Sequence, residues 1–132
     1  MALTSLDPAA LPAPRGYSQI VVAGPGGRTV FVAGQVAVDS GGQVVAPGDL
    51  PAQARQAFRN LLAALDAAGA AIGDVAKITW YVAGYRPEML PDLAAARAAV
   101  LGNHRPASTL IGVQALVHPD YLGEVEAIAI ID

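Results

Sequence analysis

Two glutamates alternate with apolar residues near the end of the chain, in GEVEAIAI at 123–130. On a strand, Glu124 and Glu126 share one face, where carboxylates can accept a proton, hold a water or pair with a cation. Charged groups are mostly exposed, so one reading leaves both acids in solvent or in ordinary ion pairs. The other sets a carboxylate at a subunit boundary, where partial desolvation raises its pKa and lets it act as a base. The remaining candidates carry weaker signals. His104 and His118 flank the preceding segment without HxH or HExxH spacing, so loop histidines and no metal are expected. Ser108 follows Arg-Pro-Ala and lacks the G-x-S-x-G elbow of a serine nucleophile. GPGGRT at 24–29 joins two strands and lacks the lysine of a phosphate loop, which makes it a hairpin turn. Trp80 has the spacing of a core residue. Tyr17 and Tyr121 can wall a pocket only if the two ends of the chain meet. With no cysteine, disulfides, thiolate metal sites and a cysteine nucleophile are excluded.

The elements that must position these residues follow from periodicity. Residues 1–16, rich in Pro and Ala, read as an irregular lead-in, and 17–132 as a single domain. YSQIVVAG at 17–24 and RTVFVAGQVAVD at 28–39 read as strands, with a second turn at SGGQ and an extended VVA. The period then becomes helical: Ala54, Ala57, Phe58, Leu61, Leu62 and Leu65 fall on one side, Asp49 suits the N-cap, Pro51 the first turn and Gly69 the C-terminal cap. DVAKITWYVAG at 74–84 is a strand with Ala76, Ile78, Trp80 and Val82 toward the helices and Lys77, Thr79 and Tyr81 away from them. A second helix spans PEMLPDLAAARAAVLG at 87–102, with Leu90, Leu93, Arg97, Val100 and Leu101 in register. Two strands close the chain at roughly 108–116 and 124–131. In the first, Ser108, Leu110, Gly112 and Gln114 share a face. In the second, Val125, Ala127, Ala129 and Ile131 form an apolar face opposite Glu124, Glu126, Ile128 and Ile130. This order predicts an α+β layer, a single mixed sheet with two helices on one face.

Composition bounds the partners. The 132 residues are 54% apolar but only 14% charged, with net charge −3. Low charge density and an apolar sheet face without its own helix point to burial by another copy of the chain. No basic stripe exists, so no nucleic acid is expected. No basic start precedes an apolar core and no apolar run reaches about 18 residues, so neither a signal peptide nor a membrane span is expected, and the expected location is cytoplasmic.

Several segments together resemble the Rid family, the YjgF-like reactive intermediate deaminases. They are YSQ (17–19), VFVAGQV (30–36), QARQAFRNLLAALDAAGA (53–70), VAKITWYV (75–82), RPASTLIGVQAL (105–116) and EVEAIAI (124–130). The resemblance implies a chorismate-mutase-like fold, a homotrimer whose sheets form a central barrel, and small-molecule clefts between subunits, without a cofactor. It implies hydrolysis of enamines or imines such as 2-aminoacrylate, with a glutamate positioning water and an arginine binding the substrate carboxylate. By position, Glu124 matches the glutamate, Tyr17 the tyrosine lining the pocket, and Gly34 the glycine of an SGQ-like segment in which Ala33 replaces serine. The arginine position after Pro-Ala is Ser108, so the carboxylate grip, a bidentate charge-assisted contact, is absent there. Arg105, three residues earlier, points to the opposite face. Tyr17, Gly34, Ser108 and Leu110 are the expected substrate-binding residues, and His118 and Tyr121 a pocket rim. Two functions follow: hydrolysis of a small reactive imine or enamine other than 2-aminoacrylate, or a non-catalytic ligand-binding or interaction trimer.

Overall fold

Period-2 and period-3.6 patterns alternate along the chain, and the computed structural model, which describes residues 3–10, 13, 16–18 and 20–132, realises them as strands β1 (Leu3–Leu6), β2 (Ile20–Ala23) and β3 (Arg28–Gln35), helix α1 (Leu50–Ala67), strand β4 (Val75–Ala83), helix α2 (Leu90–Leu101), and strands β5 (Ala107–Val113) and β6 (Gly123–Ile131). Parts of the expected lead-in, and Gln19 of the YSQ segment, lie outside the described residues.

The main sheet runs β3-β6-β4-β5, with β4 and β5 parallel and the other neighbours antiparallel. Both helices pack on one face. Asp49 caps α1 by accepting the Ala52 N–H at 3.0 Å. Gly69, with φ +76°, reverses the chain at the other end, where Ala70 N–H returns to Leu65 O at 2.9 Å. The core joins Ala57, Phe58, Leu61 and Leu65 of α1 and Leu93, Ala96 and Leu101 of α2 to Ile78, Trp80 and Val82 of β4 and the alternating Val125, Ala127, Ala129 and Ile131 of β6. Phe58 stacks on Trp80 with centroids 5.4 Å apart at 56°.

Several expectations are corrected. Residues 3–6, inside the stretch read as irregular, form β1 and pair antiparallel with β2. Among the described residues there are therefore two sheets rather than one, and GPGG does not close a hairpin. Pro25 brings no N–H to a ladder, and Gly26 and Gly27 sit at φ +82° and +88°, so the segment redirects the chain. A register shift between Val75 and Lys77 turns Val75, not Ala76, into the core. β5 ends at Val113, whose carbonyl accepts the Gly84 N–H, so Gln114 and Ala115 fall in the loop.

α2 departs from its expected register. Ala96 takes the core position beside Leu93, while Leu90 is exposed and Arg97 half-buried. Leu90, Ala94 and Arg97, at i, i+4 and i+7, form a second stripe that faces β5.

No helix is long and apolar enough to cross a membrane among the described residues.

Candidate functional site

Glu124 and Glu126 project from the sheet face that carries no helix, opposite Tyr81 and Thr79 of β4. Their surroundings differ. The Tyr81 hydroxyl donates to Glu126 Oε1 at 2.7 Å, and this bond, more than burial, raises the Tyr81 pKa. Lys77 is the nearby cation: its ammonium donates to Thr109 Oγ1 at 2.6 Å, and burial lowers its pKa while the Glu126 charge opposes that shift. Glu126 is thus partnered. Among the described residues, no hydrogen bond or ion pair engages the half-buried Glu124 carboxylate.

A β-bulge makes room for Glu124. The β3–β6 register shifts between Val32 and Gln35, which sets Ala33 and Gly34 against β6 with an extra residue. A Cβ on Gly34 would lie 2.6 Å from the Glu124 carboxyl carbon, so only glycine lets the side chain lie flat across β3. Gly34→Ala is expected to push the carboxylate aside without unfolding the protein. Any reaction that uses this carboxylate should then slow about 100-fold, the scale of an ångström-level misplacement; an assay of the purified variant beside its melting curve checks this.

The second group assembles elsewhere. Ser18 bridges to Ala107 in parallel, its N–H donates to Pro106 O at 2.9 Å, and its hydroxyl contacts Arg105 O and, at 3.0 Å, Ser5 Oγ. Arg105 donates Nε and Nη2 to the Tyr17 carbonyl at 3.0 and 2.8 Å, and pairs with Asp7 at 3.5 Å. The early segment is thereby laid along the start of β5, and the ends of the chain do meet. Tyr17, Ser108 and Leu110 line one open cleft of ≈450 Å³ with Trp80 of β4 and Leu90, Ala94 and Arg97 of α2. Arg97 was a helix-register residue in the sequence reading, and the only cue to its place in the cleft was its i+7 spacing from Leu90.

These two groups are not adjacent within one chain. Ser108 pairs with Ile78, on the helix-bearing side, whereas Glu124 pairs with Tyr81 on the other. Two strand spacings and three residues of rise put their Cα atoms about 14 Å apart, with side chains on opposite faces.

The expected rim residues form a third group. The His118 and Tyr121 rings lie 4.9 Å apart at 32°, and His118 Nδ1 accepts the Asp120 N–H at 3.0 Å. The fully buried Gln53 pins this loop to α1: its Nε2 donates to Asp120 O and its Oε1 accepts from Leu122 N–H, both at 2.9 Å. Neither ring lines the Tyr17–Ser108 cleft, and the loop leads directly into Glu124. His104 Nε2 bonds to Val75 O at 2.7 Å, a structural contact. No cluster of metal-ligating side chains occurs among the described residues.

Two helices on one face of a mixed sheet, with a recessed carboxylate on the other, define an α+β protein of the YjgF type. Residues 8–131 match the family described as Endoribonuclease L-PSP, and the chain belongs to this YjgF/Rid family. The fold superposes on the Rid-family protein of unknown function YyfB from Yersinia pestis with a TM-score of 0.92 at 36% identity, covering 99% of this chain and 100% of that one. A RutC family protein of Pyrococcus horikoshii is 35% identical over 119 residues, 89% of this chain and 90% of its own length. The 2-iminobutanoate/2-iminopropanoate deaminase of Salmonella typhimurium is 36% identical over 110 residues, 79% of this chain and 80% of its own.

Proposed function

We propose that the protein hydrolyses a small reactive imine or enamine at a site shared between subunits of a homotrimer. The observation that carries this reading is the Glu124 carboxylate, given room by Gly34 and, among the described residues, without a hydrogen bond or ion pair, beside a Glu126 that accepts from the Tyr81 hydroxyl. A carboxylate so placed can take a proton from water as its oxygen adds to the imine carbon. The tetrahedral adduct then loses its nitrogen as ammonia, with a proton returned to the leaving group, and a carbonyl compound remains.

The second subunit enters for a geometric reason. Glu124 and the Tyr17–Ser108 cleft lie on opposite faces of one sheet, so a small molecule can touch both only if they come from different chains. The face bearing Glu124 also exposes Phe31 at 77%, with Ile128 beside it, in a hollow of ≈420 Å³ that needs cover. The names of relatives such as the Salmonella typhimurium deaminase favour imine chemistry. Ser108 after Pro-Ala separates this chain from the 2-aminoacrylate pattern.

The test is a coupled assay. An amino-acid oxidase generates imines from a panel of amino acids, and their decay is followed with and without the protein, alongside light scattering. Faster decay by a trimer is expected. No acceleration with any imine removes the hydrolase reading, and a monomer removes the shared site.

A further inference from the structure

We infer that Arg97, projecting from α2, is the anion-binding residue of the Tyr17–Ser108 cleft, and that the ligand it holds is a small carboxylate, as in a 2-imino acid. This deepens the proposed function and rests on its reading of that cleft as the ligand pocket. The cation expected from β5 is replaced by one from the helix across from it.

Four observations converge on Arg97. It lines the same cleft as Tyr17, Ser108 and Leu110. Its guanidinium lies against the backbone of Gly16, where a Cβ would overlap Nη2; Gly16 is at φ +72°, so the absence of a side chain there serves both the turn and the cation. It is half-buried, and among the described residues no hydrogen bond or ion pair engages its five N–H donors. Its neighbour Arg105 is already committed to Tyr17 O and Asp7, so Arg105 adds positive potential without filling the cleft. Burial first, and Arg105 second, lower the Arg97 pKa, as expected of a cation short of a counter-charge. An arginine stays protonated in such a place, and a carboxylate can satisfy it through two parallel hydrogen bonds.

The rest of the lining fits the rest of such a ligand. Trp80, Leu90, Ala94 and Leu110 offer an apolar wall for its carbon chain, and the Ser108 hydroxyl offers one polar contact. Serine on β5 brings no second cation to the cleft beside Arg97.

The experiment measures binding, independently of turnover. Calorimetric titration with 2-oxobutanoate, and with its uncharged amide, is carried out on the full-length wild type, Arg97→Met and Arg97→Lys, each checked for its melting temperature. The wild type is expected to prefer the acid. Arg97→Met should weaken acid binding by at least about 30-fold, the lower end for removing one partner of a desolvated charge pair, while Arg97→Lys retains part of it. Equal affinity of the wild type for acid and amide overturns the inference even if the variants fail to fold. Equal acid binding by the wild type and Arg97→Met also overturns it, whatever happens to imines. Acid binding that depends on Arg97, in a protein that hydrolyses no imine, upholds the anion site and removes the hydrolase reading instead.

Discussion

Glu124→Ala is expected to lower imine hydrolysis by about 10²- to 10⁴-fold, the usual contribution of a positioned general base. The fold should be unaffected. Glu124 is half-buried, and no hydrogen bond or ion pair holds it among the described residues, so its removal orphans no partner. Its neighbour behaves differently: removing Glu126 would leave the Tyr81 hydroxyl and the Lys77 ammonium without their carboxylate. The measurement is steady-state decay of oxidase-generated imine, normalised to protein with an unchanged melting curve. Undiminished turnover would take Glu124 out of the mechanism.

Phe58→Ala should be the most damaging single core truncation. Phe58 is 1% exposed and lies where α1 meets the sheet against Trp80. Phenylalanine-to-alanine changes at buried sites cost about 3–5 kcal/mol through lost transfer energy and the cavity left behind. That is a large part of the roughly 5–15 kcal/mol by which domains are stable. Urea denaturation should show a markedly earlier midpoint with a similar slope. Because Trp80 also walls the Tyr17–Ser108 cleft, ligand affinity should fall under conditions where the chain is still folded. A variant as stable as the wild type would mean that α2 and β4 can close over the missing ring.

Elements with strong contrast were legible in the sequence. β6 alternates without a break, and its buried face is the expected Val125, Ala127, Ala129 and Ile131. α1 announces itself by Asp49, Gly69 and large apolar residues at helical spacing. α2 was harder, because in LAAARAAVL the alanines give a core stripe and a cleft stripe the same appearance. Arg97 was therefore recognised as part of a helix and not as part of a site. Gln53 was invisible for another reason: a fully buried polar side chain is paid for by the loop carbonyl and N–H that it meets, 67 and 69 residues away. β1 was missed because residues 1–16 are rich in Pro and Ala and because its partner β2 was assigned to a hairpin with β3.

The grouping of the candidate residues was less legible than the elements that carry them. Tyr17, Ser108 and Leu110 do meet, through the clamp that Arg105 places on the early segment. Alternation on β5 and β6 fixes which residues share a face of each strand, but the relative facing of two strands depends on their register with β4.

The opposite facing of Glu124 and Ser108 has a genetic consequence. In the proposed assembly, each chain lends its carboxylate to one cleft and its Tyr17–Arg97–Ser108 wall to another. A lesion in one half does not spoil both clefts that a chain helps to build. Two alleles, one damaged at the acid and one at the wall, can complement when their products co-assemble, because some clefts then draw both halves from intact sources. Two alleles damaged in the same half cannot. In that assembly the sheet separates the site into two independently mutable units within one chain.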